Sequence, residues 1–250
     1  MLDSIMDQES RSAEGIALSL LGGFSVDQSD APVGLPAPAE RLVASLAVNR
    51  CARLRSQLAG TLWPDKPEAR ALANVRAALW QVNKRCEGLV VAVGGGLAIG
   101  PDVDVDLWRS LDWCDSVLAD GQLTQRPPSG PLAQLDLLPA WSDEWLVFAR
   151  QYHRLQWLQA IDELASRMLG AGDYAGALQC GLNAIGADYF HERGHEVVIA
   201  SLIGCGNRVE AIRHYEIFKQ FMATEMSMPP SERVERLVAA ISPAAFAASN

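Results

Sequence analysis

The amino-acid sequence predicts a mainly α-helical protein of two domains: an N-terminal domain with a small β-sheet and a β-hairpin, followed by an all-α repeat domain. Two observations predict this class. Residues 16–99 contain short apolar strands and amphipathic helices in a definite order, whereas the later part contains a pattern that repeats after 34 residues. A chain of 250 residues is long enough for two modest domains.

The first elements are strand-like. Ile16–Val26 is apolar with a Gly-Gly break, and Asp27–Pro38, rich in Asp, Pro and Gly, predicts a turn with one short strand around Val33–Leu35. The polar, acidic residues 1–14 lack the basic flank and apolar core of a signal peptide, so we expect a flexible tail.

Three helices and a hairpin follow. Proline signals bound the helices, since Pro64 ends the second and Pro67 suits the first turn of the third. The predicted helices are Glu40–Asn49, Leu54–Trp63 and Pro67–Cys86, and the predicted hairpin strands are Leu89–Val93 and Leu97–Ile99 around Gly94–Gly96. Strands, three helices and a hairpin are the layout of a winged helix-turn-helix, in which the hairpin is the wing.

The third helix is amphipathic. Its expected core stripe is Leu72, Val75, Leu79, Val82 and Cys86. The other side carries side chains that can contact base edges or phosphates, together with small residues that let a helix lie close to the groove floor. Trp80 also lies there, and it could pack on the wing or on the second domain as well as touch DNA.

The basic residues are concentrated in one part of an acidic protein. The net charge is -9, yet residues 36–88 hold nine basic and four acidic side chains, a local charge of +5. The chain from Asp106 onwards holds 11 basic and 18 acidic side chains. DNA would be attracted to the basic segment, although a solvated arginine-rich surface would give the same count.

The second domain contains an internal repeat. Gly170–Leu178 (GAGDYAGAL) matches Gly204–Ile212 (GCGNRVEAI) at an offset of 34 residues, which is the tetratricopeptide period. The glycines end one helix, Asp173 or Asn207 begins the next, and Tyr174, Tyr215 and Phe218 are expected to pack between helices. A loop is predicted at residues 126–132 (RPPSGPL).

One segment fits a catalytic motif. His191–His195 has the H-E-x-x-H spacing, in which two histidines bind zinc and the glutamate activates water. However, Gly194 inside a helix costs about 1 kcal/mol relative to alanine, and no metzincin extension follows. We therefore interpret both histidines as helix-surface residues and expect no catalytic, metal or cofactor site.

Other classes of site are also disfavoured. The five scattered cysteines form no C-x-x-C pair and are interpreted as small buried residues. The glycines at residues 94–96 suit a tight turn rather than a phosphate loop, and no P-loop motif is present. No apolar run reaches the roughly 18 residues that a membrane span requires.

Several segments resemble the OmpR-type winged helix of SARP-like transcriptional regulators: Leu20–Val26, Leu62-Trp63 before Pro64-Asp65, Ala69-Arg70 and Leu79-Trp80. The later part is similar to the bacterial transcriptional activator domain in Leu138–Trp141, Glu144-Trp145, Ala171–Leu178 and Ala211–Tyr215. The resemblance covers about residues 16–241 and predicts a winged-helix domain at 15–105 and a helical domain at 106–245.

The lack of an export signal predicts a cytoplasmic protein. The resemblance implies a sequence-specific DNA-binding activator that binds promoter DNA as a homodimer. The helical domain is implied to mediate self-association or contact with the transcription machinery, including RNA polymerase. Pro67–Cys86 becomes the recognition helix and Leu89–Ile99 the wing, which here holds no charged residue, unlike many relatives. The candidate DNA-contacting residues are Arg55, Arg70, Asn74, Arg76, Ala77, Gln81 and Lys84.

A second hypothesis is a tetratricopeptide-type interaction scaffold whose winged helix binds protein. The outer face of the third helix distinguishes the two. An exposed positive surface with Arg70, Asn74 and Lys84 favours DNA, whereas an acidic or apolar patch there favours the scaffold.

Overall fold

The computed structural model describes residues 15–119 and 136–241, which contain seven strands and nine helices. They divide into a winged-helix unit, residues 15–110 and 136–151, and a helical unit, residues 111–119 and 152–241. The mainly helical class with a small N-terminal sheet is confirmed. The predicted tail at 1–14 and the predicted loop at 126–132 lie outside the described residues.

The first sheet of the winged-helix unit has the order β3-β2-β1-β7. Its strands are β1 (Ile16–Ser19), β2 (Ser25–Gln28), β3 (Ala31–Pro32) and β7 (Val103–Val105). The predicted position of β3 at Val33–Leu35 is wrong. Ser29 and Asp30 both adopt positive φ angles of 51° and 61°, so a tight two-residue turn lets the strand resume at once.

Strand β7 lies in the acidic segment 101–106 (PDVDVD), between the wing hairpin and the next helix. Val103 and Val105 are buried and Asp104 between them is exposed, which is the alternation of a strand with one solvated face. β7 pairs with β1 in parallel, with Val103 opposite Ile16. The segment is therefore a structural strand and not a linker.

The predicted three helices and wing hairpin are present. The helices are α1 (Ala37–Asn49), α2 (Arg55–Leu62) and α3 (Glu68–Arg85). A second sheet of order β4-β6-β5 comprises β4 (Arg53–Leu54), β5 (Val90–Val93) and β6 (Gly96–Ile99). Gly94 and Gly95 form the wing turn with φ angles of 54° and 81°, conformations that favour glycine.

The core stripe of α3 differs in part from the prediction. Val75, Val82 and Cys86 are buried as expected, but Leu72 and Leu79 are only half-buried. Their places in the core are taken by Ala71 and Ala78. Small side chains let α3 lie close to its neighbours, so the helix is rotated slightly from the orientation that side-chain hydrophobicity alone predicts.

Asp106 is the buried carboxylate that joins the start of the chain to α4 (Asp106–Ala119). Its oxygens accept hydrogen bonds from the backbone N–H groups of Leu20 at 2.9 Å, Leu21 at 3.0 Å and Leu107 at 2.6 Å. Burial raises the pKa of the Asp106 carboxyl, and the three N–H groups oppose that rise.

Residues 136–151 also pack in the winged-helix unit. Leu137 forms an antiparallel bridge with Leu21, and the Leu138 N–H donates to the Leu20 carbonyl at 2.8 Å. The Arg150 guanidinium donates to the carbonyls of Leu137, Leu138 and Trp141. The unit is thus built from two separate pieces of sequence, whereas the predicted winged-helix domain ended at residue 105.

The helical unit contains the predicted repeat. Its helices after α4 are α5 (Trp145–Gly170, which begins in the other unit), α6 (Tyr174–Ala187), α7 (Glu192–Gly204), α8 (Arg208–Glu225) and α9 (Glu232–Ala239). The side chains of Asp173 and Asn207 cap α6 and α8 by accepting from the N–H three residues later. Gly172 and Gly206, which precede them, share a φ of 78°.

The aromatic residues of the repeat pack as expected. Phe218 is fully buried and Tyr215 is nearly so. The Tyr174 ring lies against the backbone of Gly204, where an added Cβ would come within 2.3 Å of the ring.

Two cysteine assignments are wrong, because Cys51 and Cys205 are exposed in the turns after α1 and α7.

The expected surface position of His195 is wrong. His195 is fully buried, with its ring stacked on Phe218 at 3.7 Å between ring centres. Its Nδ1 lies 3.0 Å from Nε2 of His214 and its Nε2 lies 2.8 Å from the Tyr189 carbonyl. His191 instead bonds to Asp162 on α5 at 2.9 Å, so the two histidines of the motif have different partners.

Neither a metal-binding cluster nor a membrane span is found in the part of the chain that the structure describes. Within residues 15–119 and 136–241, no three His, Cys, Asp or Glu side chains are grouped as metal ligands. None of the helices in these ranges combines the length and the hydropathy needed to cross a bilayer.

Replacing Asp106 should destabilise the winged-helix unit. Asp106→Ala leaves three backbone N–H groups without an acceptor, so we expect the free energy of unfolding in urea to fall by about 3 kcal/mol. Asp104→Ala is the matched control on β7, because its exposed ion pair with Arg109 should contribute less than about 1 kcal/mol. Equal losses in the two variants would contradict this role of Asp106.

Acidification should destabilise the helical unit through His195. Burial lowers the pKa of His195 from 6.5 to about 4, so the unfolded chain takes up the proton first. The contribution of the neutral His195 ring to the free energy of unfolding is complete above pH 6.5 and is lost as the pH falls towards 4. We expect the melting temperature of His195→Gln to depend less on pH in this range than that of wild type. Gln220→Ala, at an exposed position of α8, should keep the wild-type dependence.

Candidate nucleic-acid interface

Helix α3 is the element on which the candidate interface is built. Pro67 precedes its first residue, Glu68 lies in its first turn, and Lys84 and Arg85 lie in its last turn. Both charge placements are favourable for the helix dipole. The Ala71, Val75, Ala78 and Val82 side is buried, so the opposite side of the helix faces solvent.

Five of the seven candidate residues lie along one side of α3, beside its buried side. At 3.6 residues per turn, they span an arc of about 80° on the helix surface. Arg70, Ala77 and Lys84 are exposed, while Asn74 and Gln81 are half-buried at one edge of the arc. We call Arg70, Asn74, Ala77, Gln81 and Lys84 the outer face. Exposed Arg76 lies about 120° around the helix from the middle of the outer face, so it is not part of it.

The cations of the basic segment differ in how they are used. Arg41 pairs with Asp143, Arg53 donates to Thr61 and Arg85 donates to the Gly34 carbonyl at 2.6 Å. Among the described residues, the guanidinium groups of Arg70 and Arg76 form no hydrogen bond or ion pair. The pair with Asp143 compensates the charge of Arg41, so the local charge of +5 overstates the positive charge that is free to bind an anion, and much of what remains is on α3.

Trp80 belongs to the same exposed side of α3. Its side chain is 57% exposed, and the Lys84 ammonium lies 4.9 Å from the centre of its ring. The spacing of four residues places the two side chains one above the other, a signal that the sequence contained. Trp80 therefore holds Lys84 at the edge of the outer face, and sequence reasoning missed this pair.

Arg55 is the one candidate residue that lies at the wing. It is the first residue of α2, and its guanidinium Nη1 donates to the carbonyl of Gly95 in the wing turn at 2.9 Å. Val93 at the end of β5 is 48% exposed, so the wing presents an apolar tip. No sequence pattern indicated this contact, since its acceptor is a backbone oxygen 40 residues later in the chain.

The second sheet brings α2 and the wing together. Arg53 pairs with Leu97 and Leu54 with Gly96, which joins β4 to β6. A Cβ on Gly96 would lie 2.7 Å from the Arg53 carbonyl, so only glycine allows this approach without a backbone shift. The start of α2 is therefore fixed beside the wing turn.

Part of the chain matches a known protein family. Residues 130–242 match the family described as the bacterial transcriptional activator domain. The match includes residues 136–151, which pack in the winged-helix unit. This family consists of transcription regulators and is not a class of enzymes. A search of curated protein sequences finds no significant match to this chain.

A solved structure has a similar fold. The chain superposes on Mycobacterium tuberculosis EmbR, determined in complex with a low-affinity phosphopeptide, with a TM-score of 0.65 and 16% sequence identity. The superposition covers 90% of this chain and 64% of the EmbR chain. The likeness establishes that the two proteins share a fold over most of the present chain, and the chain spans 64% of the length of EmbR.

The fold and the family match agree with the two parts of the sequence resemblance. The strands, three helices and wing form the first part, and the matched domain with its 34-residue repeat forms the second. The chain therefore resembles SARP-like regulators: residues 130–242 match the bacterial transcriptional activator domain, and the fold is shared with EmbR.

Proposed function

We propose that this protein is a sequence-specific DNA-binding transcription regulator, an activator that places α3 in the major groove. The observation that carries the proposal is the outer face, where exposed cationic and small side chains and half-buried amides lie along one side of an 18-residue helix. An α-helix fits the width of the major groove of B-DNA, and this combination of side chains suits its floor and walls.

Each member of the outer face has a defined role in this proposal. Arg70, whose guanidinium has no partner among the described residues, contacts guanine O6 and N7. Asn74 and Gln81 have amides that can pair with adenine, and Ala77 leaves room for the helix to approach the bases. Lys84, held by Trp80, contacts a phosphate. Arg76, on the flank of α3, is proposed to contact the DNA backbone beside the groove.

The helical unit is proposed to mediate homodimerisation on promoter DNA or contact with RNA polymerase. Tyr189 and Phe190, in the turn before α7, are 36% and 41% exposed, and both pack against Phe221 of α8. Exposed aromatic residues of this kind are enriched where proteins contact one another. We further propose that the protein acts in the cytoplasm, without a cofactor and without catalytic activity.

The alternative is the interaction scaffold whose winged helix binds protein. The charge of α3 favours DNA over this alternative, because Glu68 in the first turn is the sole acidic residue of the helix. Trp80 is the feature that would suit a protein partner, since it is large, apolar and exposed. The binding experiment below separates the two, because a scaffold would not select particular DNA sequences.

The double variant Arg70→Ala/Lys84→Ala should weaken binding to promoter DNA. Loss of a base-contacting arginine costs about 1–3 kcal/mol, and loss of a phosphate-contacting lysine should reduce the salt dependence by about one unit of slope. A gel-shift series on the region upstream of the protein's own gene, at several salt concentrations, measures both effects.

Arg109→Ala is the matched control for this series. Arg109 is an exposed arginine of α4 in the same unit, paired with Asp104, and its removal should leave binding unchanged. If the double variant binds as tightly as wild type, the outer face is not the DNA-contacting surface.

A further inference from the structure

The wing contains no charged residue, yet the structure places one beside its tip. Val93–Ile99 is uncharged. Arg55 comes from α2, and its guanidinium bonds to the Gly95 carbonyl at the turn. We propose that Arg55 is the phosphate-binding cation of the wing, contacting the DNA backbone beside the segment that α3 contacts; this rests on the proposed DNA-binding function.

The position of Arg55 is fixed by the backbone. Pairing of β4 with β6 places the residue that follows Leu54 next to the wing turn, and the close approach of the Arg53 carbonyl to Gly96 admits no side chain between them. Gly94 and Gly95 have no heavy atom within 4 Å of a Cβ added to them, so the turn is narrow and open to solvent. Arg55 is thus held at the projecting end of the hairpin.

The guanidinium keeps most of its binding capacity. It has five N–H donors in one plane, and the Gly95 carbonyl accepts from one of them, on Nη1. Among the described residues, Arg55 forms no ion pair, so its charge is not compensated by a carboxylate. A guanidinium oriented by one hydrogen bond and free on its other edge suits two-point contact with a phosphate.

The surroundings of Arg55 favour the sugar-phosphate backbone as the occupant. Leu54 and Val93 are 50% and 48% exposed, and both are apolar. One cation between apolar side chains matches an anionic phosphate between deoxyribose rings. The guanidinium of Arg55 is bound to the wing turn, so it is not free to reach into a narrow minor groove while that bond is kept.

The test uses the full chain and a DNA duplex that the wild-type protein has selected from a random pool. Binding is followed by fluorescence anisotropy over a range of salt concentrations for wild type, Arg55→Ala, Arg55→Ala/Val93→Arg and Arg109→Ala. Phosphates needed for binding are mapped by ethylation interference. Melting curves confirm that each variant is folded, and Val93→Arg lies at an exposed site that tolerates a long side chain.

The proposal predicts three results. Arg55→Ala should bind about tenfold more weakly on every duplex, and the slope of log K against log salt should fall by about 0.9, the value for one lost phosphate contact. One phosphate position outside the α3 segment should no longer show interference. Val93→Arg should restore the slope in the Arg55→Ala background, because it supplies a cation to the same tip, and Arg109→Ala should match wild type.

Other results would overturn it. If wild type selects a sequence but Arg55→Ala binds with an unchanged slope, Arg55 is not the wing cation, while the proposed function of α3 stands. A loss confined to certain base pairs at unchanged slope would indicate a base contact in the minor groove instead. If wild type selects no sequence at all, the proposed function itself fails.

Discussion

The winged-helix unit depends on one buried carboxylate. Asp106 lies at the junction of β7 and α4 and accepts the N–H groups of Leu20 and Leu21, which follow β1. The carboxylate accepts from three backbone N–H groups, which would otherwise be buried without partners. The carbonyl of Leu20 accepts from Leu138, so the same short stretch also holds residues 136–138. Two distant parts of the chain therefore meet at a single backbone turn after β1.

The candidate interface follows from how the core of this unit is packed. Alanines rather than leucines occupy the closest positions of α3, so the helix lies near its neighbours and presents an opposite side of definite composition. Arg41 is paired with Asp143 and Arg85 donates to a backbone carbonyl, so some of the nearby cations are used in the structure itself. The charges left for a ligand are fewer than the sequence suggests, but they are better placed. They occur on α3 and at the wing.

The sequence could predict those features whose signals are local. The ends of α3 were predicted to within one residue, because proline precedes the helix and the apolar stripe stops at Cys86. The repeat was also visible, since Gly172 and Asp173 recur as Gly206 and Asn207 with the same geometry. The remaining features depend on partners far away in the chain. β7 is a strand because β1 lies beside it, and the Arg55 contact needs the folded wing. His195 is buried because His214 and the Tyr189 carbonyl satisfy its ring nitrogens, which no motif spacing reveals.

Residues 136–151 have a further consequence. They carry the β-bridge at Leu137 and the Arg150 contacts that complete the winged-helix unit, yet they lie inside the segment that matches the activator domain. In proteins with this arrangement, the two domains cannot be exchanged by recombination at a single point between them. A gene fusion that carried only the residues before 106 would deliver a winged helix without its last piece. The pair is expected to be inherited together, and the boundary drawn from sequence families is not the boundary at which the fold can be cut.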